Sequence, residues 1–392
     1  MTEADLAIDK VTEPRARPGR ETRAATGRAA SFGDAFRAAL PAWVLTRVVT
    51  VLAVWAVGPR DWALPTGERI DKYGWFFAWD GAWYRQIAEY GHDATGTQGV
   101  RFFPLLPLTD RVLADATGLP VPVVQAVVTS ACALGLGMAL YALVVRETGN
   151  RTIARRAAWL VQLIPGAYVL TLGYTEAPAG LLGVLFFLAL RTSRFSLAIV
   201  PGFLSGLARP TGVLFVLPGL VEAWRALRSG AGPRKVTASL VAAASPALGL
   251  GSYLLWTKYT YGNLMLPFEV AQRPELRGGV LNNPLPYLFK TMPIGFDWQF
   301  QLIVIVAALV MTWIVIRRLP ASYTVWTLAG VGTALTSQYL WSAPRYLGQV
   351  FPLAIAAAMV TVDWRRFAWV VGACLPLFYY LLYLSFTGKI AP

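Results

Sequence analysis

Apolar residues run through this chain in blocks of 13 to 26 residues, separated by short polar turns that are rich in arginine. A bilayer core of about 30 Å is crossed by roughly 20 apolar residues in helical conformation. The blocks 39–58, 120–145, 157–172, 177–190, 196–208, 211–224, 236–257, 299–316, 322–341, 346–362 and 367–386 therefore predict an all-α polytopic fold of about eleven transmembrane helices, several of them short. Two polar stretches, 59–119 and 258–298, are too long for turns, and the first forms a long outer loop after the first helix. Residues 1–37 are polar and read as a disordered basic cytoplasmic tail, leaving 38–392 as the transmembrane domain. No apolar signal-peptide core begins before about residue 38, so 39–58 is expected to act as an uncleaved signal-anchor.

Composition narrows the class. Hydrophobic residues make up 56% of the 392 positions and charged residues 14%, against about 25% charged in soluble domains. Too little polar surface exists to cover a soluble particle of this size, and extensive disorder is excluded by the same arithmetic. The net charge of +14 then becomes a question of orientation. With the amino terminus placed in the cytoplasm of a plasma-membrane protein, the inner turns hold fourteen basic residues against three acids. The outer segments hold thirteen against twelve. That asymmetry explains the basic character without any nucleic acid. It also favours a hairpin broken at Arg209-Pro210-Thr211-Gly212 over one long helix across 196–224, because a single helix would put Arg225 through Lys235 outside.

Catalytic chemistry has few carriers here. His92 is the single histidine, which excludes a multi-histidine metal site and most Ser-His-Asp arrangements. Cys132 and Cys374 both fall in apolar runs, and no nucleotide-binding glycine loop is present. Carboxylates, arginines and aromatics remain. Asp80, in Trp79-Asp80-Gly81-Ala82-Trp83-Tyr84, reads either as the cap of an interfacial helix starting near Gly81 or as a general base in a partly dry cleft. Arg101 opens the run Arg101-Phe102-Phe103-Pro104, which leads into an amphipathic stretch lying on the outer leaflet. Glu176 sits at an outer turn, where acids are usually solvated. Arg209 and Arg345 stand at outer membrane ends, where arginines usually snorkel to lipid phosphate, and Arg47 is read the same way toward the inner side. Together, Asp80, Glu176, Arg209 and Arg345 come from four separated segments onto one face, a pattern suited to an anionic lipid-linked substrate.

The runs WDGAWYRQIAEYGH (79–92), RFFPLLPL (101–108), GYTEAP (173–178), ARPTG (208–212) and SAPRYL (342–347) occur in the order seen in one family. The chain resembles the PIG-V family of GPI mannosyltransferases and their bacterial relatives, within the GT-C class of membrane glycosyltransferases, over about residues 40–360. The resemblance implies transfer of a sugar, most often mannose, from a polyprenyl-phosphate donor on the extracytoplasmic face, with inversion. It implies Asp80 as general base and Tyr84, Arg101, Glu176, Arg209, Arg345 and Tyr346 as substrate-binding residues. His92 departs from the tyrosine that usually follows the glycine at 91, and no role is assigned to it. The acceptor stays open among lipid, glycan and protein; no cofactor is implied, and a divalent metal is left open. The alternative class is a secondary transporter or lipid flippase, for which an arginine between broken helices is also a signature. Reporter fusions at residues 90 and 230 are expected to report opposite sides of the membrane; both on one side would contradict the charge-derived topology.

Overall fold

The computed structural model describes residues 30–58, 62–63, 69–70, 74, 76–77, 79–273, 296–336, 342–361 and 363–390. Helix α1 (Phe32–Val57) begins inside the stretch expected to be tail, of which residues 1–29 lie outside the described residues. Ser31 Oγ accepts from the Asp34 amide at 3.1 Å, satisfying one of the free N–H groups of the first turn. Asp34 is itself held by Arg151 at 2.9 Å, so polar residues extend the helix beyond its apolar block.

The described residues of the expected long loop carry the two interfacial helices read from the sequence, with further short elements around them. A two-residue antiparallel ribbon pairs Trp62–Ala63 with Arg69–Ile70, and α2 (Asp80–Tyr90), the short α3 (Gly96–Gly99) and α4 (Leu105–Thr117) follow. The chain continues through α5 (Val121–Thr148), α6 (Arg151–Leu163), a 3-10 turn at Pro165–Thr171 and α7 (Glu176–Arg191). Next come α8 (Phe195–Ala208), a 3-10 turn at Pro210–Phe215, α9 (Val216–Arg228), α10 (Pro233–Tyr261) and α11 (Leu266–Ala271). Most of the second polar stretch, residues 274–295, lies outside the described residues. Beyond it are α12 (Phe296–Arg318), α13 (Ala321–Thr336), α14 (Ala343–Gly348), α15 (Phe351–Val360) and α16 (Trp364–Phe386).

By length and composition, five described helices can cross a membrane: α1, α5, α10, α12 and α16. A sixth crossing is possible if the 3-10 turn at Pro165–Thr171 and α7, bent 106° to each other, count as one span. The expectation of eleven counted shorter apolar blocks as well. These fold into pieces such as α8, of 14 residues, and α15, of 10, which rise only about 21 and 15 Å at 1.5 Å per residue. The breaks have local causes. Pro165 has no N–H to extend α6, and Arg209 is extended (φ −160°, ψ 154°) before Pro210. On the outside of the bundle, Val44, Val48, Val51, Leu52 and Trp55 of α1 are exposed. Such an apolar stripe is a liability in water and the ordinary contact surface in lipid. The chain is a multi-pass membrane protein.

The segment around Arg209 folds as two arms against α10. Gly202 of α8 faces Ser245 and Gly206 faces Leu250 and Pro246, so α8 runs parallel to α10. Gly219 of α9 faces Ala243, and the turn at residues 229–232 brings α9 back antiparallel. Small residues let these backbones touch, which is how helices gain packing energy where lipid is as apolar as leucine. The far end of the bundle is tied by Arg191, which donates to both oxygens of Glu147 (2.7 and 3.1 Å) and to Glu222 (2.8 Å), joining α5, α7 and α9.

Arg47 does not snorkel. It is half-buried within α1, donates to the Leu170 carbonyl at 3.1 Å and stacks over Trp43 at 4.7 Å, supplying a donor to the backbone of the 3-10 turn. A different group is left without partners. Asp110 of α4 is fully buried, neither carboxylate oxygen accepts a hydrogen bond among the described residues, and burial pushes its carboxyl up to about 8. A carboxyl raised in the fold from 3.8 binds its proton more tightly folded than unfolded, so its stabilising contribution is lost as pH rises from about 4 to 8. Asp110→Asn is expected to raise thermal stability at pH 8 by about 1–3 kcal/mol and to change it little at pH 4. Melting curves at the two pH values check this; an equal effect at both would contradict it.

Candidate functional site

The seven residues singled out in the sequence meet at one end of the bundle. Asp80 is the first residue of α2 and it does not cap that helix. The N-cap is Trp79, held at φ 60°, a left-handed backbone that a bulky residue adopts only when its surroundings impose it. Its indole reaches the Ser385 carbonyl at 3.4 Å. Turned in this way, Asp80 Oδ2 accepts from Arg345 Nη2 at 2.7 Å. Arg345 Nε also donates to Glu176 Oε1, and Arg209 Nη1 lies 2.6 Å from the same oxygen. Four charges of alternating sign, Asp80–Arg345–Glu176–Arg209, thus run through the centre.

Taken singly, Glu176 reads as a solvated turn acid and Arg209 and Arg345 as arginines snorkelling to lipid phosphate, whereas taken together they read as substrate-binding residues. The structure departs from the single readings. Glu176 is instead fully buried, with side-chain exposures of 7% for Arg345 and 10% for Arg209. Both arginines are turned inward onto carboxylates because an unpaired charge at this depth is far costlier than a paired one. Asp80, at 29%, is the exposed end of the chain of charges. Burial works against its ionisation, but the guanidiniums of Arg345 and Arg101 outweigh it and hold its carboxyl below the usual range. Glu176 Oε2 is buried without a hydrogen bond among the described residues.

Aromatic side chains line the group. The Arg345 guanidinium stacks on Tyr174 at 4.9 Å, and that of Arg209 lies 6.0 Å from the Tyr346 ring. Arg101 lies over Phe102 at 4.7 Å and Trp83 at 5.7 Å, two rings themselves stacked at 5.4 Å. Tyr84 meets Phe102 edge-on at 5.2 Å; burial, helped by nearby Asp80 and Glu176, pushes its phenol far up, so it stays neutral. His92 serves the frame: its Nε2 meets the Phe102 carbonyl at 3.1 Å and its ring stands 5.0 Å from Trp256, fixing the loop to α10.

Sequence reasoning overlooked two supports. Gln125 Nε2, buried in α5, donates to the Gly173 carbonyl at 2.6 Å and the Gly81 carbonyl at 3.3 Å, which locks α2 against the turn that carries Glu176. A lone glutamine in an apolar block was the available signal. Gly166, in the 3-10 turn, lies against the Pro344 carbonyl, where a Cβ would collide with backbone. That close approach seats α14 and with it Arg345. Among the described residues no three His, Cys, Asp or Glu side chains gather as a metal site.

A multi-pass helical protein with a buried, charge-paired centre at one membrane end is the class that this geometry defines. No family model matches the sequence, and no curated protein matches it. Solved structures resemble it distantly. The Archaeoglobus fulgidus oligosaccharyltransferase in its apo form aligns at TM-score 0.48 and 12% identity, over 91% of this chain and 56% of that one. The archaeal oligosaccharyltransferase AglB from the same organism, in complex with an inhibitory peptide and a dolichol-phosphate, aligns at 0.48 and 12%, over 91% and 55%. The chain spans about half the length of these proteins. Likeness at this level defines neither a family nor an activity.

The charge pairing has a measurable consequence. Glu176→Gln leaves two buried guanidiniums facing each other and is expected to cost about 3–5 kcal/mol of stability. Asp80→Asn, at the exposed end, is expected to cost about 1 kcal/mol or less. Thermal unfolding of both variants in one detergent checks this; a larger loss for Asp80→Asn would contradict it.

Proposed function

We propose that the chain is an inverting membrane glycosyltransferase that moves mannose from a polyprenyl-phosphate donor to an acceptor hydroxyl of a lipid, glycan or protein. The reaction takes place on the extracytoplasmic face of the plasma membrane. The observation that carries this reading is Asp80, an ionised and partly exposed carboxylate aimed by a buried arginine that is itself fixed by Glu176.

The charges suit such a donor. Asp80 and Glu176 against Arg101, Arg209 and Arg345 leave the centre one positive charge in excess, matching the single negative charge of a sugar phosphodiester. Asp80 takes the proton of the acceptor hydroxyl, whose oxygen attacks the anomeric carbon from the side opposite the phosphate. The bond from that carbon to the phosphate oxygen breaks, and polyprenyl phosphate departs with a second negative charge. Arginines attract that developing charge more strongly than the donor's own, which is differential stabilisation of the transition state. Tyr84 and Tyr346 flank the sugar, and Glu176, itself buried, serves the substrate by fixing Arg345 and Arg209. An apolar cavity of about 570 Å³ beside the site runs between α1 and α5 along Phe76, Phe77 and Phe386. Its rim residues Val51 and Val127 are more than 60% exposed, so it opens sideways to lipid, as an isoprenoid chain needs.

A transporter or flippase is the second reading, favoured by the 106° break before α7. Against it, the charges gather at helix ends beside the interfacial α2 and α4, whereas transport sites lie near the bilayer midplane.

Purified protein incubated with radiolabelled polyprenyl-phosphate-mannose and membrane extract tests the proposal. Label should enter an acceptor, and Asp80→Asn should lower the rate by about 10²–10⁴-fold. Arg345→Ala should lower it by at least about 10-fold, with only partial recovery in Arg345→Lys, whose point charge cannot bridge two carboxylates. Because Asp80 ionises below the usual range, its protonation produces no fall in rate between about pH 5 and 8. Full activity in Asp80→Asn would remove it from the mechanism. Movement of donor across vesicles without transfer would favour the transporter.

A further inference from the structure

The end of the bundle away from Asp80 carries a second feature, which the proposed reaction does not use. A cavity of about 810 Å³ opens between α5, α7 and α8, within the range of small-molecule sites. Its walls are apolar, with Leu185, Leu188, Leu197 and Val200 along them. Leu197 and Val200 are each 62% exposed, so the cavity opens on the side of the helix bundle where lipid stands. At its mouth, where α5 ends and α8 begins, lie Arg146 and Arg194.

The two arginines are placed differently from their neighbours. Arg191, one turn away, is saturated by Glu147 and Glu222. Glu147 follows Arg146 directly in the chain, yet its carboxylate is taken on both oxygens by Arg191, so it does not neutralise Arg146. Neither Arg146 nor Arg194 makes an ion pair with a described residue, and no carboxylate lines the cavity. Arg194 is fixed by the tight turn joining α7 to α8: its amide donates to the Ala189 carbonyl at 2.9 Å, and Ser193 before it holds φ 55°.

We propose that this cavity is a binding site for an anionic glycerophospholipid of the leaflet at that end. The phosphate would rest between Arg146 and Arg194, with an acyl chain along Leu185, Leu188, Leu197 and Val200. An apolar slot open to lipid takes hydrocarbon, and a mouth with two uncompensated guanidiniums selects a negative head group over a zwitterionic one. Such a lipid bridges α5, α7 and α8, and the far ends of the last two present Glu176 and Arg209. The site stands independently of the reaction proposed above.

Native mass spectrometry of the purified full chain, titrated with dioleoyl phosphatidylglycerol or dioleoyl phosphatidylcholine, tests it. The wild type should retain phosphatidylglycerol in preference, and inorganic phosphate alone should not displace it. The double variant Arg146→Ala/Arg194→Ala should lose that preference by about 25-fold, at about fivefold per arginine. The charge-matched pair Arg155→Ala/Arg318→Ala, exposed at the same end and outside the cavity, should keep it. Equal loss in both pairs would mean general surface charge and would overturn the proposal. So would equal retention of the two lipids by the wild type, or displacement by inorganic phosphate.

Discussion

One buried carboxylate oxygen organises the charged end of this protein. Glu176 Oε1 takes both Arg345 and Arg209, and Arg345 passes the constraint on to Asp80. Four chain segments that lie far apart in sequence are thereby fixed to one another by charge. In water such pairs contribute little, but at full burial the loss of Glu176 strands two guanidiniums at a cost of about 3–5 kcal/mol. The surrounding frame exists to allow that contact. Gly166 lets α14 press against the 3-10 turn, Gln125 locks α2 to the turn at Gly173, and the strained Trp79 points Asp80 inward.

The same pairing reconciles rigidity with chemistry. A carboxylate that swings freely is a poor general base because its orientation must be fixed at every turnover, whereas Asp80 is held by a residue that cannot move without breaking Glu176's bonds. Exposure grades along the chain of charges, from none at Glu176 to 29% at Asp80, so the buried half anchors and, in the proposed reaction, the accessible half meets substrate. In the proposed reaction, the excess positive charge is what a departing phosphate requires.

Much of this was legible beforehand, and the parts that were not share a cause. The bias of arginines between the two faces put Asp80, Glu176, Arg209 and Arg345 on one face, since it needs only residue type and order; that the four touch was not legible from it. The hairpin at Arg209 followed from the same bias together with Pro210 and Gly212. Depth was illegible. Glu176 looks like a solvated turn acid and Arg47 like a snorkelling one, because sequence does not reveal that Leu170's carbonyl or Arg345's guanidinium stands opposite. The short apolar blocks likewise gave no sign that they would fold as helix pieces joined by 3-10 turns, because apolarity is the same in a full span and in a broken one. Tyr174 and Gln125 act through what they touch, and each was only one aromatic or one amide in a long apolar run.

The central claim is that this charged centre receives a lipid-linked phosphate, beyond holding helices together. A structure determined with polyprenyl phosphate bound tests it most directly. The account predicts the phosphate within hydrogen-bonding distance of Arg101, Arg209 or Arg345, with the isoprenoid chain in the cavity beside Phe76 and Phe386. A phosphate bound elsewhere, with the Asp80–Arg345–Glu176–Arg209 chain closed and untouched, would contradict it and leave the four charges a structural clamp.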